Sequence, residues 1–143
     1  MKGGGVMAVS DDYLQWLTKE FEESPYWKLL GISMDKLEQG AAVIKMPVKD
    51  ELLNSNGMMH GGAIASILDS IIGVVIRSSR DVRVGTISLT TQFIAPVKEG
   101  ILYAEAKTIN KGKRIQYVES KVIDEKGTII GTALGTFAIK EKQ

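Results

Sequence analysis

Between residues 63 and 76 the chain is apolar except at Ser66, Asp69 and Ser70. A helix through this stretch is apolar nearly all round, which places it inside the protein rather than on its surface. Ahead of it, Leu14, Leu17 and Phe21 recur at helical spacing behind Ser10, a good N-cap followed by Asp11 and Asp12, and the repeat stops at Ser24-Pro25. That predicts a short amphipathic helix. Residues 31–37 and 41–48 read as two strands around Gln39-Gly40, with a bend over 47–50 ending the second. Beyond the buried stretch the period drops to two: over 82–95, Ile87, Leu89, Thr91 and Phe93 alternate with Thr86, Ser88, Thr90 and Gln92, and Pro96 closes the run. Residues 101–110, 115–124 and 128–139 repeat the pattern, joined by hairpin turns at Lys111-Gly112-Lys113 and Asp124-Glu125-Lys126-Gly127. The expected class is α+β: five to six antiparallel strands curling round one long central helix, with a short helix at the N-terminus.

Composition narrows this without redirecting it. With 143 residues, 44% of them apolar, and three prolines, the chain suits a single domain over 11–143, preceded by a flexible tail over 1–10 in which Met7 is an alternative start. A net charge of +1 gives no global reason to expect nucleic acid or an anionic membrane as partner. The absence of cysteine excludes disulfides, thiolate catalysis and zinc–thiolate sites. The first residues lack the apolar core of a secretory leader, and the longest apolar run is short of a membrane span and broken by Asp69, so the expected setting is the cytoplasm.

The chemistry concentrates in Asn54-Ser-Asn-Gly57-Met-Met-His60-Gly61-Gly62, followed by Asp69 in the buried helix. With Thr86-Ile87-Ser88-Leu89, Phe93-Ile94-Ala95-Pro96, Lys111-Gly112-Lys113-Arg114 and Gly131-x-Ala133-x-Gly135-Thr136-Phe137, this spaced set resembles the hotdog-fold thioesterases of the phenylacetate-pathway type over about residues 25 to 140. The resemblance implies a long helix wrapped by an antiparallel sheet, assembly as homodimers and often homotetramers, an acyl-CoA substrate, and no metal or cofactor, coenzyme A being part of the substrate. Ser88 and Gln92 stand where relatives often carry Asp and Asn.

Several of these positions have a physical role of their own. Gly61 and Gly62 fall at the expected helix N-terminus, where backbone N–H groups lack intrahelical partners and the dipole is positive, so a thioester oxygen can be polarised there. A carboxylate at Asp69, desolvated by an apolar helix, gains the basicity that proton abstraction needs. By resemblance Asp69 is general base or nucleophile, taking a proton from water or forming a mixed anhydride that water then cleaves. His60 is the only histidine and by resemblance supports the loop and the thioester contact. Asn54 orients water or the acyl oxygen, or else caps a turn. Thr86 stands where relatives carry a hydroxyl that bonds near the nucleophile. Lys111, Lys113 and Arg114 form a basic turn suited to the phosphates of coenzyme A. Ile71, Ile72, Val75 and Phe93 are either pocket lining or plain core.

Helix geometry adds a constraint. His60 and Asp69 are nine residues apart, about 900° of rotation and about 13 Å of rise, hence on opposite faces. Gly61 and Asp69 are about 80° and about 12 Å apart, too far to meet on one substrate atom when donors must lie about 3 Å from a carbonyl oxygen. If both ends act, one comes from a second copy. The resemblance agrees, setting Asn54, His60 and Gly61 of one subunit against Asp69 and Thr86 of the other. The reading is an acyl-CoA thioesterase; a hydratase or dehydratase on the same fold, and a noncatalytic acyl-CoA-binding module, are the alternatives.

Overall fold

A computed structural model of the chain describes residues 8–142. Most of the expected tail, including Met7, lies outside the described residues. Its end is anchored: the Val9 N–H donates to Gln39 Oε1 at 3.2 Å.

Helix α1 spans Asp11–Glu22 and is capped as its sequence predicts, Ser10 Oγ accepting the Tyr13 N–H at 3.0 Å. A helix not foreseen, α2 at Pro25–Leu30, follows at once. Its proline sits in the first turn, where a missing N–H costs nothing, and Gly31 ends it at φ 81 in the left-handed region. Strands β1 (Ser33–Glu38) and β2 (Ala41–Pro47) lead through a 3-10 turn at Asp50–Leu52 to helix α3, Gly61–Ser79, and then to β3 (Val82–Phe93), β4 (Ile101–Lys111), β5 (Ile115–Ile123) and β6 (Ile129–Glu141).

The six strands form one antiparallel sheet in the order β1-β2-β4-β5-β6-β3. It wraps α3, whose Ile67, Leu68, Ile71, Ile72 and Val74 are fully buried. The helix is long and apolar enough to cross a membrane by length and composition, and is mostly buried within the fold. Truncating one of these isoleucines to alanine is expected to cost about 2–5 kcal/mol, the range for deleting a packed core side chain.

The small residues of Gly131-x-Ala133-x-Gly135 line the face of β6 turned to α3. A Cβ at Gly135 would lie 2.8 Å from Ile72 Cδ1, and one at Gly131 3.1 Å from Ile64 Cγ2, so glycine here sets how closely helix and sheet approach. The far end of α3 is fastened by α1. Tyr13 Oη donates to the Arg77 carbonyl at 2.7 Å, Arg77 Nη2 meets Glu20 Oε2 at 2.7 Å, and the guanidinium lies 5.1 Å from the Phe21 ring centre.

One sequence expectation fails in β3. Thr86 pairs with Phe137 but Ser88 pairs with Thr136, leaving Ile87 as an extra residue in a bulge. The bulge moves Thr86 from the outer set with Ser88, Thr90 and Gln92 to the inner face shared with Leu89 and Thr91. Its hydroxyl therefore points at α3.

Candidate active site

The loop before α3 is built around Asn54. Its Oδ1 accepts the N–H groups of Asn56 (2.9 Å) and Met58 (3.1 Å), its backbone N–H donates to Met58 O, and the left-handed Gly57 (φ 77) donates back to Asn54 O. Of the two sequence alternatives, the turn-capping one describes this carbonyl. The amide Nδ2 of Asn54 keeps its donors free of these bonds.

The loop delivers His60 as the N-cap of α3. Its Nδ1 accepts the Gly62 N–H at 2.7 Å. Two consequences follow. An accepting Nδ1 carries a lone pair, so the neutral ring holds its proton on Nε2 and presents it outward from an exposed side chain. The expected pair of free glycine donors also narrows to one: Ala63 and Ile64 donate to His60 O, Gly62 donates to the imidazole, and among the described residues the Gly61 N–H meets no acceptor. The Phe93 ring stands beside it, 3.3 Å from where a Gly61 Cβ would be.

Asp69 lies two turns further along, half-buried on the one strip of α3 that the sheet leaves uncovered, together with Gly61, Gly62, Ala65, Ser66 and Ser70. Thr86 Oγ1 donates to Asp69 Oδ1 at 2.7 Å. Burial pushes the Asp69 carboxyl above its ordinary value of 3.8, and the Thr86 hydrogen bond pulls against that shift. The β3 bulge is what allows this contact.

The structure thus brings together Asp69 and Thr86, and separately Asn54, His60, Gly61 and Gly62. It does not bring the two groups together within one chain. The basic turn is elsewhere again: Arg80, just past the C-terminal end of α3, donates from Nη1 to Lys113 O at 3.3 Å, which places Lys111, Lys113 and Arg114 at the end of the helix opposite Gly61. Ile71, Ile72 and Val75 are core, at most 2% exposed, leaving Phe93 (57%) as the only one of the four offered lining residues that reaches the surface. Tyr26, by contrast, was not foreseen. Its hydroxyl lies 2.7 Å from Ser66 Oγ on the uncovered strip of α3, across 40 residues of sequence that offer no motif to signal the contact.

Comparison with known proteins gives the family. The chain matches the family model for the thioesterase superfamily over residues 56–130, just over half its length, and belongs to that family. It is 34% identical over 101 residues to the proofreading thioesterase EntH of Klebsiella pneumoniae, covering 68% of this chain and 73% of that one. It is 27% identical over 116 residues to the 1,4-dihydroxy-2-naphthoyl-CoA hydrolase of Listeria monocytogenes, covering 80% and 94%. Among solved structures it matches conserved protein PA5202 from Pseudomonas aeruginosa with TM-score 0.80 and 30% identity, over 85% of this chain and 98% of that one. The fold is the hotdog fold, and the protein is a thioester hydrolase.

Proposed function

We propose that the protein hydrolyses acyl-CoA thioesters to a carboxylic acid and free coenzyme A, in two equivalent sites shared between the subunits of a homodimer. The observation that carries this reading is the placement of one free backbone donor, the Gly61 N–H, and one desolvated carboxylate, Asp69, on the same helix about 12 Å apart along its axis. Neither group completes a hydrolytic site alone.

The two edges of the sheet indicate how a second copy supplies the missing half. β1 is short, carries Asp35, Lys36 and Glu38, and has α1 packed beside it. β3 is twelve residues long, pairs with β6 on one side only, and has no charged side chain from 84 to 93. An unprotected edge of this kind is a template for pairing with another strand. Antiparallel pairing of β3 with its copy, about a twofold axis perpendicular to the sheet, sets two α3 helices side by side and running oppositely. Since Gly61 lies by Phe93 and Asp69 by Thr86, an axis near residues 89–90 brings Gly61 of each subunit opposite Asp69 of the other. The partner's α3 then extends about 15 Å beyond Gly61, carrying its basic turn toward the phosphates of the bound coenzyme A. The exposed Ile109, Tyr117 and Leu134 on the outer sheet face supply an apolar surface for joining dimers into a homotetramer.

In the reaction the thioester oxygen accepts from the Gly61 N–H, with the His60 Nε2–H alongside. Asp69 of the other subunit takes a proton from water as its oxygen bonds to the acyl carbon. The oxyanion is held by the same donors, which suit it better than the ground-state carbonyl. Collapse breaks the C–S bond, and the thiolate leaves as the Asp69 proton returns to it. Thr86 holds one carboxylate oxygen in place, leaving the other for the water. A coenzyme A substrate sets the reaction in the cytoplasm. The Klebsiella relative, a proofreading thioesterase, and the Listeria relative, a naphthoyl-CoA hydrolase, support the choice of a thioester. Incubation with short, medium, long and aromatic acyl-CoAs should release thiol from at least one; binding without release across the panel would instead indicate a sensor, and loss of an enoyl chromophore without thiol a hydratase. A single turnover in water labelled with ¹⁸O tests for the nucleophile: label recovered in Asp69 requires an anhydride opened by water at the Asp69 carbonyl, whereas direct attack of water on the thioester labels the product acid alone.

A further inference from the structure

We propose that Tyr26 is a specificity-determining residue for the acyl group, its ring forming the outer wall of the channel along α3 and its hydroxyl tether to Ser66 fixing the channel's width. The inference rests on the hydrolase reading above and assigns a role to a residue outside the catalytic set.

Taking Gly61 as zero, the uncovered strip of α3 runs through Ala65 at about 40°, Asp69 at about 80°, Gly62 at about 100° and Ser66 at about 140°. One border is β3, where Phe93 stands at Gly61 and Thr86 at Asp69. The other border is Ser66, and there α2 reaches across. The floor between them is Gly62 and Ala65, with little side chain to fill the space, and it begins at the donor that polarises the thioester. An acyl chain leaving that carbonyl along α3 therefore passes between Phe93 and Tyr26.

The tether is directional. Ser66 Oγ donates to Gly62 O at 2.7 Å, so its proton is committed and Tyr26 must donate into the Ser66 oxygen. One relay of two hydrogen bonds thus runs from Tyr26 back to the first turn of α3. The ring itself is more than half exposed, as is Leu29 on the same side of α2, while Trp27 and Leu30 are buried and hold the short helix down, Trp27 stacked 5.0 Å from Phe21. A hydrogen bond between two accessible hydroxyls contributes little to folding, because water replaces either partner readily. What it does fix is where an otherwise mobile aromatic ring stands beside the strip.

The test is a series of kcat/KM values for straight-chain acyl-CoAs of increasing length on wild type, Tyr26→Ala, Tyr26→Phe and Ser66→Ala. Removing the ring should raise the ratio of long-chain to short-chain kcat/KM by about tenfold or more, the scale on which hydrophobic pockets discriminate by methylenes. Tyr26→Phe and Ser66→Ala keep the wall but lose the tether, so each should move the ratio in the same direction by about two- to fivefold, and the double variant no further than either single one. An unchanged ratio in all three variants, with wild type active, overturns this inference and leaves the hydrolase reading standing. Wild type that releases no thiol from any acyl-CoA overturns the hydrolase reading itself. Should Tyr26→Ala fail to fold, the two conservative variants still decide the matter, since an effect on stability alone lowers kcat/KM for all lengths alike.

Discussion

In the proposed mechanism the first turn of α3 and its middle do different chemistry for opposite local reasons. At the first turn, reactivity comes from absence: glycine offers no side chain, and the Gly61 N–H is left over once His60 has taken its neighbour. In the middle, reactivity comes from confinement, a carboxylate held on a helix whose sheet-facing side is largely apolar, with burial pushing its proton affinity up. On that proposal one end stabilises negative charge and the other generates it. A hydrolytic site needs both, and a rigid helix keeps them about 12 Å apart. That separation turns a local motif into an argument for a second subunit.

Substitutions at the two ends should cost comparable amounts by different routes. Gly61→Pro deletes the donor at the one helical position where proline is tolerated, and His60 already has the extended backbone, ψ 137, that a following proline requires. Turnover should fall by about 10²–10³, as for other oxyanion donors, with the melting temperature kept; near-normal turnover would remove Gly61 from the mechanism. Asp69→Ala should lose at least about a hundredfold. It should not lose stability, since it removes a desolvated carboxyl.

The pH dependence sharpens the contrast, because the carboxylate titrates and the donor does not. Base catalysis needs ionised Asp69, so the acid limb of kcat/KM should lie above 3.8. Thr86→Val removes the hydrogen bond that opposes the shift, so the limb should move higher still and turnover should fall by about tenfold, the scale of a bond to a charged group. Stability follows the same sign. A raised folded-state value means the native state holds this proton more tightly than the unfolded chain, so Asp69 favours folding most below 3.8 and that contribution is lost as pH rises through the raised value. Asp69→Asn should flatten this part of the stability profile.

An effect no larger than that of Thr86→Val, and confined to binding, should come from the basic turn. Replacing Lys111, Lys113 and Arg114 by alanine is expected to raise KM for acyl-CoA by about tenfold while leaving kcat nearly unchanged, more so at low salt, as for exposed charges that bind without reacting. A drop in kcat instead would place the turn closer to the reacting atoms than its position at the far end of α3 allows.

Much of this was legible in the sequence because it follows from period and composition. The all-apolar helix, the run of antiparallel strands and the cap at Ser10 are local signals, and each is met at or within a few residues of its expected limits. The failures are tertiary. Helix α2 is six residues, too short to show a period, and is held by Trp27 packing on Phe21. The β3 bulge reverses the face of Thr86, yet strict alternation reads through Ile87 without a break. Both glycine N–H groups look equally free in a sequence, which does not record that the His60 ring turns back onto one of them.

The shared site is the central claim, and mixing the two inactive variants tests it most directly. Neither Gly61→Pro nor Asp69→Ala alone can assemble a complete site, but a heterodimer has one intact site built from Gly61 of one chain and Asp69 of the other. Once subunits have exchanged at equal amounts, half the dimers are mixed and each carries one working site of two, so activity should return to about a quarter of wild type. Complete exchange, verified by mass, with no activity above that of the separate variants would contradict it.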